Sequence, residues 1–79
     1  MDERRARLKS RWRTWRRAQM LSQTNLARIG GVSRSTAQRW ESSGSAQLPD
    51  VAQLIAVCEA LRIKPERALL FLMGGGANG

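Results

Sequence analysis

The sequence predicts an all-α protein with five helices. Apolar residues recur at spacings of three and four along most of the chain, and no segment alternates apolar and polar residues as a strand does. Of the 79 residues, 42% are hydrophobic and only 5% aromatic, so the core must consist mainly of aliphatic side chains and tryptophan. A chain of this length suffices for one small domain. We expect this domain at residues 1–73, followed by a flexible glycine-rich tail at residues 74–79.

The first helix is predicted from about Asp2 to Arg17. Leu8, Trp12 and Trp15 follow one another at spacings of four and three, so they form a narrow apolar stripe on a helix otherwise covered with arginine. A stripe at this spacing is typical of residues that face a core.

The second and third helices are short and are joined by a glycine turn. Ser22 is positioned to cap the second helix, which ends at Gly30 and Gly31, where one glycine adopts the left-handed conformation of a tight reversal. Ser33 caps the third helix, which reaches about Glu41.

The last two helices follow a loop of serine and glycine at residues 42–45. Pro49 and Asp50 open the fourth helix, and Pro65 starts a fifth helix that reaches about Met73. Five apolar residues are expected to form the buried face of the fourth helix: Val51, Leu54, Ile55, Cys58 and Leu61.

The segment 23–41 has the arrangement of two short helices that cross through a turn. Leu26 and Ala27 face inward, and the small side chain of Ala27 permits a close approach of the two helices. We expect a Cβ atom at Gly31 to clash in the turn, and we expect Val32 to fill the corner from the inside. The sequence therefore predicts a helix-turn-helix unit.

The third helix has two different faces. Ala37 and Trp40 lie on its inner face, with Ser33 at its N-terminal tip. A helix placed in this way offers its first residues to the major groove of DNA. Its outer face carries four polar residues: Arg34, Ser35, Gln38 and Arg39.

Charge is distributed unevenly along the chain, whose formal net charge is +8. Residues 1–41 contain eleven of the fourteen basic residues and three of the six acidic ones, whereas residues 42–79 contain three of each. Such an excess favours a phosphate backbone or an anionic membrane as the partner, and a merely solvated basic face is the alternative. The arginines surround the first helix and leave only a narrow apolar face, so we expect double-stranded DNA and no membrane. The tryptophans are interpreted as core rather than as a base-stacking platform.

These features resemble the XRE-type helix-turn-helix family of phage repressors and Cro-like proteins, over about Leu8 to Leu72. The resemblance implies a five-helix, lambda-repressor-like bundle that binds operator DNA, commonly as a two-fold homodimer. The matching residues are Gln23, Leu26, Ala27, Gly31, Val32, Ser33, Thr36 and Glu41, then Leu48, Pro49, Leu54, Ala60 and Leu61.

The resemblance also implies roles for individual residues. Gln23 would contact a phosphate and support a base-reading side chain, and Arg16 would pair with Glu41 to orient the third helix. Alanine stands at position 37 where the family often has isoleucine or valine, so we expect a tryptophan to fill the remaining volume. The base-reading positions fall on Arg34, Ser35 and Arg39, with Gln38 beside them.

Phosphate contacts are also expected outside the third helix. The backbone amides at Gln23 and Ser33 lie at helix N-termini, which favour anions. Arg4, Arg5 and Arg7 are expected to form an arm ahead of the folded body and to contact the DNA backbone. A solvated face remains the alternative for these arginines.

Catalysis is not expected, because the chain has no histidine, one cysteine and only scattered carboxylates. We expect no metal and no cofactor. A lone cysteine excludes an internal disulfide and fits a reducing cytoplasm, and Cys58 is interpreted as an inert buried residue. No signal peptide or membrane-spanning run is recognisable, so a cytoplasmic, nucleoid-associated protein is expected.

The function that these observations favour is sequence-specific regulation of transcription. We expect a repressor of a phage or another mobile element, bound to a palindromic operator as a homodimer. The alternative is the antitoxin of a toxin–antitoxin pair, which would have a protein partner and regulate its own promoter. The dimer interface is expected on the fifth helix, which is apolar on more than one face: Leu69, Phe71 and Leu72.

Overall fold

A computed structural model describes residues 3–74 and contains five α-helices within them, with no strand. The all-α prediction is therefore confirmed. The predicted start at Asp2 and the predicted tail residues 75–79 lie outside the described residues. The helices are α1 (Glu3–Ala18), α2 (Gln23–Gly30), α3 (Arg34–Glu41), α4 (Val51–Leu61) and α5 (Pro65–Leu72).

The core is built around three tryptophans that join α1 to α3. The rings of Trp12 and Trp15 stack with their centroids 5.3 Å apart, and Trp40 meets Trp12 edge-on at 5.9 Å. All three side chains are buried, as the apolar stripe of the first helix predicts. Ala37 is also fully buried, in the same hydrophobic cluster as the three tryptophans. The other buried apolar residues are Leu26, Ala27, Leu54, Val57, Cys58, Ala68 and Leu72.

The predicted buried face of α4 is partly wrong. Val51 is 73% exposed because it is the first residue of the helix, directly after the Asp50 cap. Ile55 is 38% exposed, whereas Val57 is fully buried. A helix turns by about 100° per residue, so Val57 lies about 60° from Leu54 and Ile55 about 100° away on the other side. The other predicted residues are buried or packed against the core: Leu54, Cys58 and Leu61.

Both helices of the central pair begin with the predicted serine cap. The hydroxyl of Ser22 accepts a hydrogen bond from the backbone N–H of Asn25 at 3.0 Å. The hydroxyl of Ser33 accepts one from the backbone N–H of Thr36 at 3.1 Å. Each bond satisfies an amide that has no partner within its own helix, which fixes where α2 and α3 begin.

The turn between α2 and α3 depends on the backbone angle of one glycine. Gly31 has a φ of +69°, and its N–H closes the last turn of α2 on Ala27 and Arg28. The left-handed conformation is as predicted, but the expected clash is wrong, because a Cβ atom at Gly31 would meet nothing within 4 Å. The requirement for glycine is therefore conformational, since a side chain disfavours a positive φ.

We expect Gly31→Ala to lower the free energy of unfolding by roughly 1 kcal/mol, the cost of a left-handed backbone for an L-residue. Urea denaturation followed by circular dichroism measures this. Gly44→Ala is the matched control, because Gly44 does not have a positive φ and an added Cβ would make only ordinary contact with Ser42. Equal stability of the two variants would contradict the conformational explanation.

Candidate nucleic-acid interface

A buried ion pair connects α1 to the last residue of α3. Arg16 donates from Nε to Oε2 of Glu41 at 2.5 Å and from Nη2 to Oε1 at 3.0 Å. The third donor, Nη1, reaches the backbone carbonyl of Leu21 at 2.6 Å. Both charged side chains are buried, so the two-pronged geometry compensates the loss of water around each charge.

Gln23 extends this pair to α2. Its amide nitrogen Nε2 donates to Oε1 of Glu41 at 3.3 Å, and the residue is half-buried at the start of the helix. Glu41 therefore receives bonds from α1 and α2 while it belongs to α3. Because a carboxylate can accept several hydrogen bonds at once, this one group fixes the relative positions of the three helices.

The third helix presents its polar face to solvent. Its inner side is closed by Ala37 and Trp40, and Ser33 is exposed at its tip. The side chain of Arg39 has one polar neighbour, Oε1 of Gln47 at 3.5 Å. The exposed residues of the outer face are Arg34, Ser35, Gln38 and Arg39.

A polar cleft of about 210 Å³ lies between α1, α2 and α3. Arg13 and Arg17 stand on its α1 side, one turn apart and exposed, while Gln23 and Gln38 line the opposite side. Within residues 3–74 no hydrogen bond or ion pair engages the side chain of Arg13 or of Arg17. The sequence alone does not show which arginines of α1 lie beside α3. Their spacing from Arg16, by three and one residues, identifies this face once Arg16 is known to reach Glu41.

The expected N-terminal arm is wrong. Arg4, Arg5 and Arg7 belong to α1, which is already helical at Glu3. An acidic residue in the first turn favours this helix, and Glu3 lies 3.9 Å from Arg7 one turn later. Arg4 and Arg7 line a surface cleft that includes Met73 after α5, whereas Arg13 and Arg17 lie beside α3.

Lys9 is a functional candidate that the sequence analysis misses. It is the most buried charged residue in the described part of the chain, with 2% of its surface exposed. Its Nζ donates to the carbonyl of Arg39 at 2.6 Å and to that of Gln47 at 2.5 Å. Burial, assisted by the charge of Arg5, lowers the pKa of this lysine. Its only sequence signal is its place three residues before Trp12, at the edge of the apolar stripe.

The remaining reactive group is the thiol of Cys58. Cys58 lies on the inner face of α4 and is fully buried in the core. Burial raises the pKa of this thiol because the thiolate would lose its solvation. Among the described residues, no group of histidine, cysteine or carboxylate side chains has the arrangement of a metal site. None of the five helices is long and apolar enough to cross a membrane, in the part of the chain described.

Comparison with known protein families identifies the chain. A family model described as helix-turn-helix matches residues 13–67, which is more than half of the sequence. The chain belongs to the XRE-type helix-turn-helix family. The match includes the whole of α2, α3 and α4 and the arginines beside the polar cleft. Comparison with curated proteins and with solved structures gives no match.

Membership of this family makes the chain a DNA-binding transcriptional regulator. The helix-turn-helix unit supplies the exposed polar face of α3, and the Arg16–Glu41–Gln23 network holds that face in place. Arg13, Arg17 and Lys9 are the residues that the geometry adds to the candidates from the sequence.

We expect Glu41→Gln to lower the free energy of unfolding by roughly 3 kcal/mol, because it leaves the Arg16 charge buried and unpaired. The exposed glutamate of α4 provides the control, Glu59→Gln. Urea denaturation of both variants, and of the double variant Arg16→Met/Glu41→Leu, measures the effect. A double variant less stable than Glu41→Gln alone would contradict the assignment of the loss to an unpaired charge.

Proposed function

We propose that this helix-turn-helix protein is a repressor of the phage Cro/C1 kind, which binds a palindromic operator as a homodimer. The observation that carries the proposal is the exposed polar face of α3, flanked by a cleft with two unpaired arginines. A face with two arginines favours guanine, because one guanidinium can bond both acceptors on the major-groove edge of that base.

The phosphate backbone is proposed to contact the rim of this face. Gln23 and Ser33 lie at the N-termini of α2 and α3, where backbone amides favour an anion. Arg13 and Arg17 add two exposed positive charges next to Gln23. Contacts of this kind set position and affinity, whereas the residues of α3 would set sequence preference.

The dimer interface is proposed on α5 and the start of α4. Leu69 is 45% exposed, and it lines an apolar cleft of about 190 Å³ together with Leu72 and the exposed Val51. Phe71 is half-buried and packs against the core, so it would contribute less than the sequence suggests. Two copies joined here would read two half-sites about one helical turn apart, which a single α3 cannot do.

The exposed apolar surface also supports the alternative function, an antitoxin that covers this surface with a toxin. An antitoxin would purify with its partner when the neighbouring gene is co-expressed, whereas a repressor of the proposed kind would dimerise and bind DNA alone. In either case we propose that the protein is not an enzyme, since its sequence has no histidine and its one thiol is buried.

Selection of bound fragments from a random DNA pool tests the proposal. A palindromic motif is the expected result, and an absence of enrichment would contradict sequence-specific regulation.

We expect Arg34→Ala to reduce discrimination at one base pair of each half-site by roughly 1–3 kcal/mol, the worth of a two-pronged arginine–guanine contact. Binding assays with every single substitution in the selected operator measure it. Arg67→Ala, on the exposed side of α5, is the control. Uniform weakening on all sequences would instead make Arg34 a phosphate contact.

The double variant Arg13→Ala/Arg17→Ala is expected to bind all DNA sequences more weakly. If each arginine neutralises one phosphate, the slope of log affinity against log salt should fall by about 2 per subunit. Titrations at several salt concentrations measure the slope. Arg62→Ala/Arg67→Ala changes the net charge equally, at the end of α4 and in the first turn of α5, and should leave the slope nearly unchanged. An equal change in both variants would contradict a phosphate site in the polar cleft.

Leu69→Asp is expected to give a folded monomer with weaker operator binding, because a charge would be buried in the dimer interface. Light scattering after gel filtration measures the mass, and circular dichroism checks the fold. Ala60→Asp, at an exposed position of α4 outside the apolar cleft, is the control. A dimer of unchanged operator affinity would contradict the proposed interface.

A further inference from the structure

Lys9 joins two backbone segments that are eight residues apart. Its Nζ lies 2.6 Å from the carbonyl oxygen of Arg39, in the last turn of α3, and 2.5 Å from that of Gln47, in the loop before α4. No regular element occupies residues 42–50, and the hydrogen bonds within this loop are local ones among Ser42, Gly44, Ser45 and Gln47, which do not connect it to α1. Lys9 therefore ties both the end of α3 and the loop that follows it to α1.

The surroundings explain why a lysine is stable at this position. Carbonyl groups in the last turn of a helix lack partners within the helix and carry the negative end of its dipole. A buried ammonium group is costly unless such acceptors replace its water. The two carbonyls supply this replacement, and the alkyl stem of Lys9 can lie along the apolar stripe beside Trp12.

Both carbonyls belong to residues whose side chains also meet. Nη1 of Arg39 lies 3.5 Å from Oε1 of Gln47, on the exposed face next to the rest of α3. The ammonium group of Lys9 thus fixes the backbone beneath two side chains that touch each other. Arg16 binds the end of α3 through the side-chain carboxylate of Glu41, whereas Lys9 binds backbone carbonyls. The two cations of α1 therefore make different contacts.

We propose that Lys9 is a positioning residue for DNA reading. It sets the direction in which the side chain of Arg39 projects from α3, and it does not contact DNA itself. The inference rests on the proposed function, because it assumes that Arg39 reads a base. It predicts that sequence preference at the base pair read by Arg39 depends on Lys9, whereas preference at the other base pairs does not.

The test uses an operator selected with the unaltered protein. If no operator is selected, the proposed function fails and Arg39 has no base to read, which also overturns the role of Lys9. With an operator in hand, Arg39→Ala identifies the base pair that Arg39 reads. The measurements on Lys9 described next can then contradict the role of Lys9 while the proposed function stands.

Lys9→Met keeps the length of the side chain and removes its charge and hydrogen-bond donors. The chain contains one other lysine, the exposed Lys64, so Lys64→Met is the matched control. We expect Lys9→Met to lose roughly tenfold in discrimination at the Arg39 base pair, within the range of one arginine–guanine contact. The double variant Lys9→Met/Arg39→Ala should lose no more there than Arg39→Ala alone, and Lys64→Met should lose nothing.

A purely structural role predicts a different pattern. Lys9→Met would then lose affinity at every base pair alike, and its losses would add to those of Arg39→Ala. Uniform weakening overturns the proposal, and so does additivity with Arg39→Ala. A loss of stability in urea is expected in both cases, because Lys9 ties two backbone segments to α1. Lys9→Arg, which keeps the charge and the donors, should recover part of the discrimination.

A second measurement needs no variant of Lys9. The ammonium signals of the two lysines are followed by nuclear magnetic resonance in complexes with the operator and with an operator changed at the Arg39 base pair. We expect the Lys9 signal to differ between the two complexes and the Lys64 signal to stay the same. An unchanged Lys9 signal overturns the proposal even where Lys9→Met does not fold.

Discussion

Glu41 is the point at which three helices of this small bundle meet. Its carboxylate accepts two bonds from Arg16 of α1 and one from Gln23 of α2, and it is itself the last residue of α3. A buried pair of this kind contributes little net stability, since desolvation offsets most of the attraction. Its main effect is to fix the angle of α3 relative to α1 and α2. The exposed face of α3 has a fixed direction because the one charged group at its end accepts hydrogen bonds from two other helices.

The first helix extends the same principle along its length. Lys9 bonds carbonyls at and beyond the end of α3, and Arg11 donates to the carbonyl of Leu72 at the end of α5 at 3.2 Å. Arg16 bonds the carbonyl of Leu21, in the turn that follows α1 itself. These cations therefore bind backbone carbonyl groups in the last turns of helices and in the segments that follow them, where regular intrahelical hydrogen bonds run out. The arginine-rich composition of α1 serves the interior of the bundle as well as its outer surface.

Local features of the structure could be predicted from the sequence, because their causes lie within a few residues. The serine caps, the left-handed Gly31 and the stripe of Trp12 and Trp15 all belong to this class. The errors have tertiary causes. Which side of α4 is buried depends on how α2 and α5 pack against it, and two adjacent apolar residues do not reveal this. The candidate site behaves in the same way. The polar face of α3 follows from helical spacing, whereas Lys9 acquires its role only from carbonyls 30 and 38 positions away.

The long separation of these contacts has a consequence for synthesis of the chain. The bond between Arg11 and Leu72 spans 61 positions, and Lys9 and Arg16 reach partners 25 to 38 positions ahead of them. At roughly 5–20 residues per second, the ribosome needs several seconds to add the acceptors after α1 has been made. Until then the tryptophan stripe of α1 has no core to enter. Closure of this bundle therefore waits until α5 has been made, and α1, the earliest of the five described helices to be synthesised, is among the last to be secured.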